Sequence, residues 1–129
     1  MTLKVRCKVY DAKPPAKISW EFGTREFREK RLDESNPRRC VDPKTFLEVN
    51  CFHIITQERQ QKNDLSLWTT ESILKIRIGR ESPAELKCLA HHPALGSPQR
   101  TSVILEMVDK GELISKNACP FIHFQYVSN

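Results

Sequence analysis

Cys7-Lys8-Val9-Tyr10-Asp11-Ala12-Lys13-Pro14-Pro15-Ala16-Lys17-Ile18-Ser19-Trp20 is the stretch on which the reading of the fold turns. Leu3-Lys4-Val5-Arg6 leads into it with strict alternation of apolar and basic residues. A period of two predicts a half-buried strand over 3–9, with Leu3, Val5, Cys7 and Val9 inward and Lys4, Arg6 and Lys8 outward. Pro14-Pro15 then marks a turn, because proline fixes its own φ and biases the residue before it towards extended backbone. A second strand is expected over 17–21, with Ile18 and Trp20 on one face and Gly23 punctuating its end.

Outward from this stretch the same pattern returns twice. Leu74, Ile76 and Ile78 alternate with Lys75 and Arg77, which predicts a strand within 67–78. After a turn at Gly79-Arg80-Glu81-Ser82-Pro83, residues 84–91 alternate again and carry Cys88 inward beside Leu86 and Ala90. His92-Pro93-Ala94-Leu95-Gly96-Ser97-Pro98 is the next turn, and Val103, Leu105 and Met107 share a face of a final strand over 100–107. Between these halves, residues 24–62 read as a long irregular connection with one or two short strands, one of them at Phe52-His53-Ile54-Ile55. A helix over 58–63 fits the residue types but has no apolar stripe to bury. Runs of strands without helical crossovers make the class all-β and antiparallel. The domain is expected over 1–108, and 109–129 is read as a tail outside it.

With 129 residues, 39% of them hydrophobic and 29% charged, the chain has the size and composition of one folded domain with a true core. No apolar run approaches the roughly 20 residues that span a bilayer, and no apolar leader stands at the N-terminus. The net charge of +5 gathers at Arg25, Arg28, Lys30, Arg31, Arg38 and Arg39, which raises a polyanion-binding alternative, heparin or nucleic acid. Only Phe27 stands among these bases, so no stacking platform for single strands is built there and a solvated loop is the plainer expectation. Five cysteines in a chain this short point to an oxidising compartment, and the odd number leaves at least one outside any intrachain pair.

The quoted stretch resembles strands B and C of a C2-type immunoglobulin domain, in the manner of the second domain of nectin-like, nephrin-like and fasciclin-type cell-adhesion proteins. Ser72-Ile73-Leu74-Lys75-Ile76 is similar to strand E, and Leu86-Lys87-Cys88-Leu89-Ala90-His91-His92-Pro93-Ala94-Leu95 to strand F and its turn into G. The resemblance covers about residues 3–107, with 24–62 unmatched. It implies an immunoglobulin-like antiparallel β-sandwich lacking strand A, a Cys7–Cys88 disulfide between the sheets, and a core of Trp20, Leu74, Ile76 and Leu86. Leu86 stands where many such domains place a tyrosine.

The resemblance further implies a non-catalytic domain of an extracellular, cell-surface adhesion or receptor protein, anchored to a membrane by other parts. Its partner would be another cell-surface immunoglobulin-family protein, met homophilically or heterophilically, and no cofactor or small-molecule substrate is expected. The turn holding His91, His92 and Leu95 is the candidate partner contact, with a solvated hairpin turn as the plainer expectation. The competing reading is a truncated fragment of such a protein without independent function. A Cys40–Cys51 bridge would pin the central connection, although pairings that use Cys119 stay open. Cys40, Cys51, His53, His91, His92 and His123 include enough zinc-ligand types, but their spacings match no short metal clip, so no metal is assigned. No G-x-S-x-G, H-E-x-x-H or phosphate-loop motif occurs. Pairing Cys88 with His91 or His92 as nucleophile and base would need an exposed thiol, whereas the alternation turns Cys88 into the core. No catalytic residue is assigned.

Overall fold

The computed structural model describes residues 2–24, 30–35, 38–42, 44–77, 84–105 and 122–128. They form ten strands: β1 (Thr2–Ala12), β2 (Lys17–Thr24), β3 (Lys30–Arg31), β4 (Arg39–Val41), β5 (Glu48–Asn50), β6 (Phe52–Gln60), β7 (Trp68–Arg77), β8 (Ala84–His91), β9 (Gln99–Leu105) and β10 (Ile122–Ser128). Two four-stranded sheets run in the orders β10-β1-β7-β6 and β3-β2-β8-β9, and β4 with β5 makes a separate hairpin. Every pairing is antiparallel. The class read from the sequence, an immunoglobulin-like β-sandwich, is the one found.

Alternation builds the first sheet. Leu3, Val5 and Cys7 are buried, and they face Ile76, Leu74 and Ser72 across the β1–β7 ladder. Lys4, Arg6 and Lys8 point the other way, where Glu71 pairs with Arg6 at 3.6 Å and Lys8 at 3.3 Å. These pairs are partly solvated and contribute little to stability. The second sheet sets Trp20 directly opposite Cys88 in the β2–β8 register. The core gathers between the sheets, with Leu3, Val5, Cys7, Trp20, Leu74, Ile76, Leu86 and Cys88 at 0–1% exposure. Burying side chains of this size stabilises by about 1.5–3 kcal/mol each.

Cys7 and Cys88 are joined by a disulfide, Cα to Cα 6.6 Å, which ties β1 to β8. Trp20 Nε1–H donates to Ser72 Oγ at 2.9 Å, so the indole crosses from β2 to β7 with its one donor satisfied. Ser72 also accepts from Thr56 Oγ1 at 3.1 Å. Leu86, in place of a tyrosine, is fully buried and packs with this cluster.

Three departures from the sequence reading stand out. Residues 24–62 contain β3, β4, β5 and the whole of β6, more strand than expected. The helix considered over 58–63 is not formed: β6 runs to Gln60, with Glu58 opposite Thr70 and Gln60 opposite Trp68. Residues that favour a helix in isolation are held here by a neighbouring ladder, a tertiary effect that local propensity does not report. Beyond Phe52, Ile54 is half-buried and positions 55–60 of β6 are exposed, as suits an edge strand. Lastly, part of the expected tail enters the sheet, for β10 pairs with β1 from Leu3↔Ser128 to Val9↔Ile122. The expected boundary at Val108 lies outside the described residues, as do Ile78, Met107 and Cys119.

Candidate functional site

Two surfaces stand out, one expected from the sequence and one not. The expected surface is the turn after β8. Its histidines are engaged by the domain itself: His91 Nε2 lies 2.7 Å from Ser19 Oγ on β2. The ring of His92 is held on both sides, with Ala94 N–H donating to Nδ1 at 3.1 Å and Nε2 lying 2.9 Å from the Pro14 carbonyl. An accepting Nδ1 assigns the ring proton to Nε2, which donates to Pro14. Leu95 N–H closes the turn on the His92 carbonyl at 2.9 Å. The ring nitrogens thus brace this turn against the Pro14-Pro15 turn, and the outward groups are Pro93 and Ala94, with Leu95 half-buried. Thr70 Oγ1 braces the same end by donating to the Ala16 carbonyl at 3.0 Å.

The second surface is the β4–β5 hairpin. Cys40 and Cys51 form a disulfide at its base, Cα to Cα 5.1 Å. Backbone bonds continue the anchorage: Cys51 N–H donates to the Arg38 carbonyl, and Arg77 N–H at the end of β7 donates to the Cys51 carbonyl, both at 2.8 Å. The Arg38 guanidinium lies 5.3 Å from the Phe22 ring centroid, within reach of a cation–π contact. At the far end Phe46 N–H donates to the Asp42 carbonyl and Asp42 N–H to the Leu47 carbonyl. The Asp42 carboxylate accepts from Lys44 N–H at 2.8 Å and faces Arg77 at 3.8 Å. The Lys44 amide foremost, with Arg77 adding to it, holds the Asp42 carboxyl below its ordinary pKa.

This well-bonded frame displays apolar side chains. Val41, Phe46 and Leu47 are 62%, 81% and 65% exposed. Phe46 takes φ 58°, a left-handed conformation that costs an aromatic residue about 1–3 kcal/mol. Sequence reasoning passed over this hairpin because three-residue strands are too short to show alternation. The available clue was the apolar pair Phe46-Leu47 between two cysteines 11 residues apart.

The edge between β3 and β6 opens into a recess of about 330 Å³. Ile18, Trp20, Leu32 and Ile54 give it apolar walls, and Arg31, Asp33 and Glu34 stand among its lining residues. Glu34 Oε1 accepts the Ile54 N–H at 2.8 Å and lies 3.2 Å from His53 Nδ1, so it caps the edge of β6. Asp33 accepts from Ser35 N–H and Oγ–H, which lower its carboxyl pKa.

The metal ligands weighed from the sequence are dispersed by these contacts. Cys40 and Cys51 are bonded to each other, His53 meets Glu34, and no group of three or more His, Cys, Asp or Glu converges among the described residues. Cys88 is buried and its sulfur is bonded to Cys7, which removes it as a nucleophile for His91 or His92. Of the basic run, Arg31 and Arg39 are exposed and Arg38 is half-buried against Phe22, while 25–29 lie outside the described residues.

A model of the CD80-like C2-set immunoglobulin domain matches residues 1–99. A search of curated proteins returned no significant match. The matched span contains the quoted Cys7–Trp20 stretch, the β1–β8 disulfide and the braced turn after β8. This chain belongs to the family of CD80-like C2-set immunoglobulin domains.

Proposed function

We propose that the chain is a non-catalytic domain of a cell-surface adhesion or receptor protein, working outside the cell by mediating or spacing protein–protein contacts. The observation that carries this reading is the buried Cys7–Cys88 disulfide between the sheets, in a family commonly found in cell-surface proteins. A second bond at Cys40–Cys51 adds to it, because paired cysteines persist where the environment is oxidising. The Pro-Pro-Ala turn and the Ile-x-Trp strand favour kinship with the second domains of nectin-like, nephrin-like and fasciclin-type proteins. Within this reading a cell-surface immunoglobulin-family protein is the partner, and the His91, His92 and Leu95 turn is one contact. Fixed ring orientations would present that turn with little entropy left to lose on binding.

The test is binding of avidin-tetramerised chain to a panel of cultured cells, with and without trypsin treatment of the cell surface. Trypsin-sensitive binding is expected. Absence of binding across the panel overturns the reading. Binding that survives trypsin but is lost to free heparin also overturns it, in favour of the polyanion reading that the net charge of +5 suggests.

A further inference from the structure

The outward faces of the two sheets carry charge in opposite patterns. On the second sheet the signs alternate across the strands. Glu21 of β2 stands opposite Arg31 of β3 on one side and Lys87 of β8 on the other, and Glu85 meets the same Lys87 at 3.7 Å. On the first sheet Lys4 of β1 stands directly opposite Lys75 of β7. Like charges placed directly across a ladder are destabilising. An anion bound over them would relieve that repulsion.

The face stays basic around this pair. Arg6 and Lys8 follow Lys4 along β1, and Arg59 stands further along on β6, opposite Thr69. Across the paired outward positions of β1 (2–8), β7 (69–77) and β6 (53–59), Glu71 is the one acid. It serves Arg6 at 3.6 Å and Lys8 at 3.3 Å, away from the Lys4–Lys75 pair. The face is short of acceptors to the point that the enclosed Arg6 Nε has no hydrogen-bond partner among the described residues. On the far side of β1, β10 sets Val127, Gln125 and His123 opposite Lys4, Arg6 and Lys8, which adds no acidic residue. Arg77 is already engaged by Asp42 at 3.8 Å and His53 by Glu34 at 3.2 Å, so the available cations centre on Lys4, Arg6, Lys8, Lys75 and Arg59. Sheet geometry sets such positions about 4.8 Å apart across strands and about 6.7 Å apart along them.

The chemistry of the face selects its occupant. Lysine is depleted in protein–protein interfaces, so a face built on Lys4, Lys8 and Lys75 suits a protein partner poorly. Single-stranded nucleic acid stacks its bases on aromatic side chains, and the paired outward positions hold no Phe, Tyr or Trp. Anionic lipid belongs to the cytoplasmic leaflet, whereas two disulfides fit an oxidising compartment. We propose that the outward face of β1, β7 and β6 binds a linear sulfated polysaccharide of the heparin class. Its sulfate groups lie over the Lys4–Lys75 pair and extend along β1 to Arg6 and Lys8 and towards Arg59. The inference rests on the extracellular placement proposed above, and it adds a glycan to the protein contact on a face separate from the His91–Leu95 turn.

Calorimetric titration of the full chain with heparin, repeated over a series of salt concentrations, tests it. Binding is expected to persist at about 0.15 M salt. Lys4→Gln with Lys75→Gln is expected to weaken it about ten-fold and to lower the slope of log affinity against log salt by about two. The melting temperature should hold or rise, since the substitution removes a like-charge pair. Lys17→Gln with Arg100→Gln removes the same charge from the outward face of the other sheet and should leave the affinity within about two-fold of the parent chain. Equal losses from the two double variants overturn the inference, because net charge and not this face would then govern binding. No binding at about 0.15 M salt overturns it as well. So does equal or tighter binding of single-stranded DNA or of phosphatidylserine vesicles. A face variant that loses heparin but keeps trypsin-sensitive binding to cells supports this inference and leaves the adhesion reading standing. One that loses heparin and all cell binding supports this inference and removes the protein contact.

Discussion

Cys7 and Cys88 are both fully buried and stand 81 residues apart in sequence, whereas Cys40 and Cys51 stand 11 apart and close a hairpin whose tip is exposed. The first bond lies in the core beside Trp20 and links one sheet to the other. The second lies at the margin of the core, with Cys40 half-buried, and links a short excursion back to its own base. The core around the first bond already holds itself by packing. The hairpin has two three-residue strands and no apolar interior, and Phe46 adds backbone strain. One bond reinforces a structure that burial favours; the other holds a structure that burial does not.

The largest test of this contrast is removal of the core bond. Cys7→Ala with Cys88→Ala is expected to cost about 4 kcal/mol, since the bond closes a long loop in the unfolded chain, and chemical denaturation would measure it. A cooperative transition that falls sharply on removal marks a folded, disulfide-closed domain. The absence of any transition with the bonds intact would support the alternative of a fragment without independent function.

Next comes the pair Cys40→Ala and Cys51→Ala, expected to cost somewhat under 3 kcal/mol by the same loop argument. The distinguishing measurement is hydrogen exchange. Amides of 39–50 should lose protection while those of β1, β7 and β8 keep theirs. Equal loss in both regions would show the hairpin to be part of the same cooperative unit, and the contrast would fail.

A smaller effect of opposite sign is expected from Phe46→Gly. Glycine takes the left-handed conformation without penalty, so the variant should gain about 1 kcal/mol in denaturant melts. A loss instead would mean that the Phe46 ring stabilises the hairpin by packing.

The smallest effect is acidic. The Lys44 amide, with Arg77 adding to it, lowers the Asp42 pKa from 3.8. The folded-state value is the lower one, so its contribution is complete above pH 3.8 and is lost as pH falls through the depressed value. The hairpin should therefore loosen in acid before the core does, as read by exchange at 39–50 across pH 5 to 2. Asp33 and Asp64, whose pKa values serine hydrogen bonds lower, share the direction but lie outside the hairpin.

Legibility in the sequence followed the range of the forces involved. β1, β2, β7 and β8 were readable because each carries its own alternation, and because Trp20 between two distant cysteines has few other uses. The expected core of Trp20, Leu74, Ile76 and Leu86 is buried at 0–1% exposure. Less readable were the elements whose geometry comes from neighbours. Positions 56–60 of β6 carry polar and exposed side chains and extend because β7 offers unpaired backbone. The turn after β8 was read as a partner contact, yet its histidines proved to bond Ser19 and Pro14, residues more than 70 positions away.

The sequence alone determined that the chain folds into two antiparallel sheets and which face of each principal strand turns inward, because side-chain alternation is a property of neighbours along the chain. Tertiary structure alone decided that Ile122–Ser128 lies against β1, that the central connection is strand-rich, and that Phe46 points to solvent at φ 58°. Those outcomes depend on which distant backbone groups remain to be paired once the core has formed. Hydrogen-bonding demand at a sheet edge has no local signature in the residues that come to satisfy it.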